Sequence, residues 1–220
     1  MMSQSTDTTE LSGPPAQGRP KMLNHLAYVT HDVEGTVDFY TRVMGMPMVS
    51  TVIGSKVPST GDDFPYFHVF FRLHDGSTLA FFEAPGLPPA NPKGHPAYDI
   101  FDHLAFEADT PEDIHAWAAW LRQNGIEIVG PTDHGIILSI YFRDPVNDIR
   151  LEITCPLVDD WNAREDSAAR DLQDWLDVKN AATAEGQDVP EALLKFIAGR
   201  NAEKSAKPTE DLPTDPERPV

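Results

Sequence analysis

Asn24-His25-Leu26-Ala27-Tyr28 near the start of the chain returns as Asp102-His103-Leu104-Ala105-Phe106 in its middle. Each copy lies on an alternating apolar stretch, which is typical of a β-strand, and each runs into a segment with helical periodicity. Each half then ends on a strand that carries a glutamate, Glu83 in the first half and Glu152 in the second. The chain therefore contains a duplicated unit with a histidine on its first strand and a glutamate on its last.

Both units have the element order β-α-β-β-β. In the first unit we predict a helix over 33–44 and strands over 22–29, 47–54, 64–73 and 78–83. In the second unit Thr110, Pro111 and Asp113 predict the start of a helix that ends at Gly125. Its strands are predicted over 100–107, 126–129, 136–142 and 149–154. This order indicates an α+β fold of two βαβββ modules.

Composition divides the chain further. Residues 1–20 and 205–220 carry few apolar side chains, and we predict that both are disordered. A stretch rich in proline and glycine, 85–98, is predicted to link the first module (21–84) to the second (99–156). Two helical patterns over 157–204 predict a helical C-terminal extension.

The chain has 220 residues, of which 40% are hydrophobic, and a formal net charge of −18. Because it offers no basic face to neutralise phosphates, we expect neither nucleic acid nor an anionic membrane as a partner. No apolar run is long enough to cross a bilayer, and the N-terminus lacks the apolar core of a signal peptide. A single cysteine, Cys155, fits a reducing compartment, so we expect a cytoplasmic protein.

The repeated histidines are the strongest candidates for metal ligands. Alternate residues of a strand share a face, and His25 and His103 both lie on mostly apolar faces. With Glu152 they would give a metal two neutral imidazoles and one carboxylate, a set that suits Fe(II), Mn(II), Zn(II), Co(II) or Ni(II). Glu83 would add a fourth ligand and leave fewer positions open. A lone inward histidine is more often a hydrogen-bonded core residue, but two at equivalent points of a repeat favour a metal site.

Several stretches together resemble a known family: His25 to Val29, Val37 to Met46, His103 to Phe106, and Ser139 to Pro145 followed by Arg150-Leu151-Glu152. Over residues 22–156 the chain is similar to the vicinal oxygen chelate superfamily. That superfamily includes glyoxalase I, type I extradiol dioxygenases, fosfomycin-resistance proteins and bleomycin-binding proteins. The resemblance implies two βαβββ modules curled into an incomplete mixed β-barrel around a divalent metal, and a homodimer.

Among these classes the chain resembles type I extradiol dioxygenases most. The resemblance implies that Tyr141 hydrogen-bonds a substrate oxygen and that His134 supports it, both as catalytic residues. It implies Fe(II) as the metal, and O2 with a catechol- or hydroquinone-like aromatic as substrates. An aromatic pocket would suit such a ring, and the candidate substrate-binding residues are Phe70, Phe82, Phe101, Phe142 and His68.

Two other functions stay open. A glyoxalase I-like lyase or isomerase would use Ni(II), Zn(II), Mn(II) or Co(II) and would need Glu83 at the metal. A metal-free binding protein of the bleomycin-resistance kind would need no ligand set at all.

The turn Asp144-Pro145-Val146-Asn147-Asp148 departs from the family's usual Asp-Pro-(Asp/Asn)-Gly. Asparagine tolerates the left-handed conformation better than most residues. We therefore expect Asn147 to adopt the conformation that the glycine would adopt.

Overall fold

The computed structural model describes residues 22–88 and 97–206. The predicted disordered arm, residues 207–220 of the predicted tail and residues 89–96 of the predicted linker lie outside these ranges. The chain divides into two compact units, with the boundary between Val158 and Asp159. The first unit holds both predicted βαβββ modules, so the α+β fold class is confirmed.

The first module consists of β1 (His25–Thr30), α1 (Val33–Asp38), β2 (Met48–Lys56), β3 (Asp63–Arg72) and β4 (Thr78–Glu83). Helix α1 continues as a π-helical turn over Phe39–Val43. The Asp32 side chain accepts a hydrogen bond from the Gly35 N–H at 2.9 Å and so caps α1. Gly76, at φ +89°, forms the turn of the predicted β3–β4 hairpin.

The second module consists of α2 (Tyr98–Phe101), β5 (Leu104–Glu107), α3 (Pro111–Gln123), β6 (Ile128–Asp133), β7 (Ile137–Arg143) and β8 (Arg150–Pro156). The predicted capping box of α3 is present. The prediction of a strand from residue 100 is wrong at its start, because residues up to Phe101 form the helical turn α2. His103 therefore lies just before β5.

Each module forms its own four-stranded mixed sheet, in the orders β1-β4-β3-β2 and β5-β8-β7-β6. The first and last strands of each module pair in parallel, and the other neighbours pair antiparallel. Within residues 22–88 and 97–206 the two sheets share no ladder, so they do not close into a barrel.

One face of each sheet carries the apolar core. Alternating residues of β3, β4, β7 and β8 are no more than 4% exposed: Val69, Phe71, Leu79, Phe81, Ile140, Phe142, Leu151 and Ile153. They form one cluster with Tyr40, Ile114 and Leu121 from the helical segments of both modules. The helices thus cover one face of each sheet, and the residues between these core positions point to the other face.

Polar contacts join the two modules on the helix side. The buried Tyr40 hydroxyl donates to Asp144 Oδ2 at 3.0 Å, and Asp144 is only 1% exposed. The indole Nε1 of Trp120, on α3, donates to the Val43 carbonyl at 2.8 Å. The first bond holds the β7–β8 turn against the first module, and the second holds α3 against it.

In that turn Asp148 adopts the left-handed conformation, at φ 55°. The expectation for Asn147 is therefore wrong. The Asn147 amide instead donates to Asp144 Oδ2 at 2.8 Å and to Thr36 Oγ1 at 3.1 Å. Asn147 thus links the modules, and its neighbour makes the turn.

The second unit contains α4 (Glu165–Ala184) and α5 (Val189–Ala206), which lie within the predicted helical extension apart from the last two residues. Arg200 on α5 pairs with Asp171 on α4 at 2.5 Å. Among the helices that the structure describes, none is both long and apolar enough to cross a membrane.

Candidate metal centre

The second sheet places a histidine against a buried glutamate. Glu152 on β8 lies opposite Ala105 on β5 and opposite Tyr141 on β7. Its side chain is 3% exposed, and its Oε2 lies 2.8 Å from Nε2 of His103. We call His103, His134, Tyr141 and Glu152 the carboxylate half-site.

The hydrogen bonds of this pair fit a divalent cation. His103 Nδ1 lies 2.8 Å from the Phe101 carbonyl oxygen, so Nδ1 carries a proton and the lone pair of a neutral ring is on Nε2. That lone pair faces a carboxylate oxygen, which is also an acceptor. The other carboxylate oxygen, Oε1, is buried without a hydrogen-bond partner among the described residues. A metal ion would satisfy both groups, and metal-binding histidines usually donate their other N–H to such an oxygen.

Tyr141 and His134, the two predicted catalytic residues, lie next to this pair. Nε2 of His134 is 2.9 Å from the Tyr141 hydroxyl, and the Tyr141 ring centre is 5.9 Å from that of His103. Desolvation raises the pKa of Tyr141, and the negative charge of Glu152 adds to the rise. The phenol therefore stays protonated at neutral pH and can donate a hydrogen bond.

The first sheet collects other predicted residues around His25. His25 Nδ1 lies 2.7 Å from Asn24 Oδ1, which leaves the Nε2 lone pair available. The ring centre of His25 is 6.2 Å from that of His68 and 5.7 Å from that of Phe70. With Phe82, these three residues form a cluster that we call the aromatic half-site.

His68 is the buried member of the aromatic half-site, at 6% exposure. Its Nδ1 lies 3.0 Å from the Phe81 carbonyl oxygen, and its ring stacks on Phe82 with ring centres 3.5 Å apart. Burial lowers the pKa of His68, and the neighbouring His25 lowers it further. His68 is therefore neutral at pH 7 and presents an Nε2 lone pair.

Glu83 lies on the wrong face of its strand to bind the same metal. Glu83 lies opposite Thr30 in the β1–β4 ladder. Its Oε1 accepts a hydrogen bond from the Val33 N–H at the start of α1, at 3.0 Å. In the β1–β4 ladder the counterpart of Glu152 is Ala80, which lies opposite Ala27 just as Glu152 lies opposite Ala105. The prediction that Glu83 is a fourth ligand is therefore wrong.

Two of the predicted pocket residues lie elsewhere. Phe142 is 4% exposed, belongs to the core cluster and lies on the opposite face of β7 from Tyr141, so it lies apart from both half-sites. A contact between Phe142 and a substrate stays a prediction. Phe101 belongs to α2 and is 76% exposed. Its carbonyl orients His103, and a contact between its ring and a substrate stays a prediction.

The two half-sites do not meet within the described part of one chain. Over residues 22–88 and 97–206, no three histidine, cysteine, aspartate or glutamate side chains come close enough to hold one metal ion. His25 lies with His68, whereas His103 lies with Glu152.

Arg150, which was not among the predicted site residues, also lies in this region. Arg150 precedes Glu152 by two positions on β8 and so shares its face. Its guanidinium lies 4.6 Å from the centre of the Tyr141 ring. Alternation along the last strand could have identified it.

Comparisons with known proteins agree with this architecture. The chain is 32% identical over 134 residues to the glyoxalase domain-containing protein RDO1 of Mycosarcoma maydis, covering 59% of this chain and 65% of that protein. It is 26% identical to the metallothiol transferase FosB of Staphylococcus epidermidis over 56% of this chain and 76% of FosB. It is 24% identical to MhqA of Bacillus subtilis (strain 168), assigned as a ring-cleaving dioxygenase, over 43% of this chain and 28% of MhqA.

The fold also matches a solved structure, a glyoxylase/bleomycin resistance protein/dioxygenase domain from Frankia sp. EAN1pec. The TM-score is 0.51 at 16% identity, covering 63% of this chain and 99% of that domain. Residues 22–153 match the family model described as the Glyoxalase/Bleomycin resistance protein/Dioxygenase superfamily, and they include both half-sites. The chain belongs to this superfamily.

Proposed function

We propose that this protein is an Fe(II)-dependent extradiol-type dioxygenase that cleaves the ring of a catechol- or hydroquinone-like aromatic. The observation that carries the proposal is the pairing of His103 with Glu152 Oε2, while Glu152 Oε1 is buried without a hydrogen-bond partner among the described residues. The hydrogen bond between His134 and Tyr141 lies next to this pair. Ala80 stands where a second carboxylate would be, so three ligands would leave positions open for a substrate and O2.

His25, His103 and Glu152 would hold the metal, which when bound supplies a chelation point for two vicinal oxygens and, as Fe(II), electrons for O2. Tyr141 donates a hydrogen bond to a substrate oxygen, and its hydroxyl is oriented by His134. The neutral His68 accepts a hydrogen bond from a substrate hydroxyl. Phe70 and Phe82 form an apolar wall for the ring.

We infer that two copies of the chain complete each site. His25 of one chain would join His103 and Glu152 of the other, since a single chain keeps them apart over its described residues. Val29 and Val52 share the face of His25 and are 48% and 44% exposed. A second copy would cover these apolar side chains, and the family resemblance also favours a homodimer.

Subunit mixing tests this arrangement. We expect His25→Ala and His103→Ala variants to bind little metal on their own. A mixed dimer of the two variants would contain one intact site, because each chain supplies the histidine that the other lacks. Recovery of metal binding and activity after mixing supports shared sites, whereas no recovery in a verified mixed dimer contradicts them.

Metal content and oxygen uptake test the chemistry. Protein purified without oxygen from medium that contains Fe, Mn, Zn, Ni and Co is expected to retain iron and to consume O2 with a catechol. His103→Ala should abolish both, and His115→Ala, exposed on α3, should change neither. Full uptake by His103→Ala contradicts the proposal.

A non-redox reaction at the same ligands is the second candidate, and the similarity to a metallothiol transferase favours it. Retention of Mn, Zn or Ni with iron excluded would support this candidate. A glyoxalase I-like lyase is disfavoured, since Glu83 caps α1 and Ala80 cannot bind a metal.

A further inference from the structure

Arg150, beside the carboxylate half-site, has no hydrogen-bond or ion-pair partner among the residues that the structure describes. Its Nε is buried and has no hydrogen-bond acceptor among the described residues. A buried N–H group without an acceptor destabilises a folded chain, because it has lost its bond to water. A ligand that supplies an acceptor would remove this penalty.

A shortage of carboxylates does not explain this isolation. The chain has 35 Asp and Glu residues against 17 Lys and Arg residues, and several of its arginines form ion pairs: Arg42 with Asp38, Arg164 with Asp160, and Arg200 with Asp171. Arg150 forms no ion pair with the described residues, although Glu152 shares its face. Opposite charges kept apart on one face suit a ligand that binds a metal at one end and is anionic at the other.

A cavity of about 360 Å³ adjoins Arg150. Its lining also includes Tyr141, Phe142, Arg143, Val129, Ile128 and one acidic residue, Glu127. Arg143 lies opposite Arg150 in the β7–β8 ladder, but it forms an ion pair with Asp148 at 3.1 Å. Arg150 is therefore the arginine of this lining that has no ion pair among the described residues. This volume is within the range of small-molecule sites, and a mixture of aromatic, aliphatic and cationic groups suits an aromatic acid.

The positive charge of Arg150 has no counterpart at the equivalent position of the first module. Thr78 pairs with Arg72 in the first sheet as Arg150 pairs with Arg143 in the second. The first module therefore has a neutral residue at the equivalent position, next to Ala80 rather than Glu152. The cation and the candidate metal ligand occur together in one module and are both absent from the same positions of the other.

We propose that Arg150 binds a carboxylate on the substrate whose vicinal oxygens bind the metal at His103 and Glu152. This inference rests on the proposed function and narrows its substrates to dihydroxylated aromatic acids. A guanidinium can donate two parallel hydrogen bonds to a carboxylate. The Arg150 guanidinium already lies over the Tyr141 ring, which helps to fix its position.

Calorimetric titration of the metal-loaded protein without oxygen tests the subsite, with catechol, 3,4-dihydroxybenzoate and benzoate as probes. We expect dihydroxybenzoate to bind about tenfold or more tightly than catechol. Arg150→Gln should remove this advantage and keep the affinity for catechol, and Arg150→Lys should keep part of it. Arg122→Gln, exposed on α3, is the matched control and should discriminate as the wild type does.

The outcomes separate this inference from the proposed function. If catechol and 3,4-dihydroxybenzoate bind tightly and equally well, the subsite is overturned and the ring-cleaving chemistry still stands. The same conclusion follows if Arg150→Gln loses affinity for both diols to the same extent. Binding of benzoate that requires Arg150, with no binding of either diol, supports the subsite and contradicts the chemistry. If no probe binds, both fall. Should Arg150→Gln fail to fold, the wild-type comparison and Arg150→Lys decide the question.

Discussion

Ala80 occupies in the first sheet the position that Glu152 occupies in the second. Each lies opposite an alanine of the parallel strand and opposite an aromatic residue of the antiparallel strand, Phe70 or Tyr141. The repeat thus preserves the framework and changes the chemistry at one position. This equivalence determines which glutamate is expected to bind a metal.

We predict that Glu152→Gln lowers metal affinity by more than about 100-fold, since even residues that only orient a ligand contribute 10- to 100-fold. Glu83→Gln should leave the metal content unchanged, because Glu83 lies on the helix side. Elemental analysis after dialysis measures both variants. If Glu83→Gln lost its metal and Glu152→Gln kept it, Glu83 rather than Glu152 would be the ligand.

Glu83 has a structural role that a second substitution tests. Glu83→Ala removes the acceptor of the Val33 N–H and should lower the free energy of unfolding by about 1 kcal/mol. Glu83→Gln keeps an oxygen at this place and should lose less. Urea denaturation of both variants measures the difference, and an unchanged midpoint for Glu83→Ala would argue against the cap.

Tyr40→Phe should destabilise the junction of the two modules. It removes the hydrogen bond to the buried Asp144 carboxylate, which is worth about 1.5–3 kcal/mol for a charged partner. Tyr66→Phe is the control, as Tyr66 packs on Phe82 and its hydroxyl makes no hydrogen bond to the described residues. Equal unfolding free energies for the two variants would contradict a stabilising role for the Tyr40–Asp144 bond.

The lowered pKa of His68 gives stability a pH dependence. The unfolded chain binds a proton at this residue near pH 6.5, whereas the folded chain binds it only at a lower pH. The stability that comes from a neutral His68 is thus complete above about pH 6.5 and is lost as the pH falls toward the lowered value. His68→Gln should flatten the unfolding free energy over this window, measured by denaturation at several pH values. His115→Gln should keep the wild-type slope, and an unchanged slope in His68→Gln would refute the prediction.

Much of the fold could be predicted because its signals are local. Alternation and helical periodicity gave the strands and helices of both modules, and the capping residues around Thr110 placed the start of α3. The repeated His-Leu-Ala stretch identified His25 and His103 as equivalent residues. The helical turn α2 before His103 was not predicted, since its aromatic and β-branched residues also suit a strand.

Strand register could not be predicted, because it depends on loops of different length. Aligning the last strands by their glutamates equated Glu83 with Glu152 and missed Ala80 by three positions. An odd error of this kind moves a side chain to the opposite face of a strand. Phe142 was predicted to line the pocket together with Tyr141, although adjacent residues of a strand point to opposite faces and Tyr141 is the one opposite Glu152.

Alternation along β8 also bears on how this protein could diversify. Leu151, Ile153 and Cys155 serve the core, whereas Arg150 and Glu152 face away from it. Selection can therefore act on one set of side chains while the interleaved set preserves the folded state. A duplicated strand of this kind lets a lineage acquire new substrates by single substitutions at every second position.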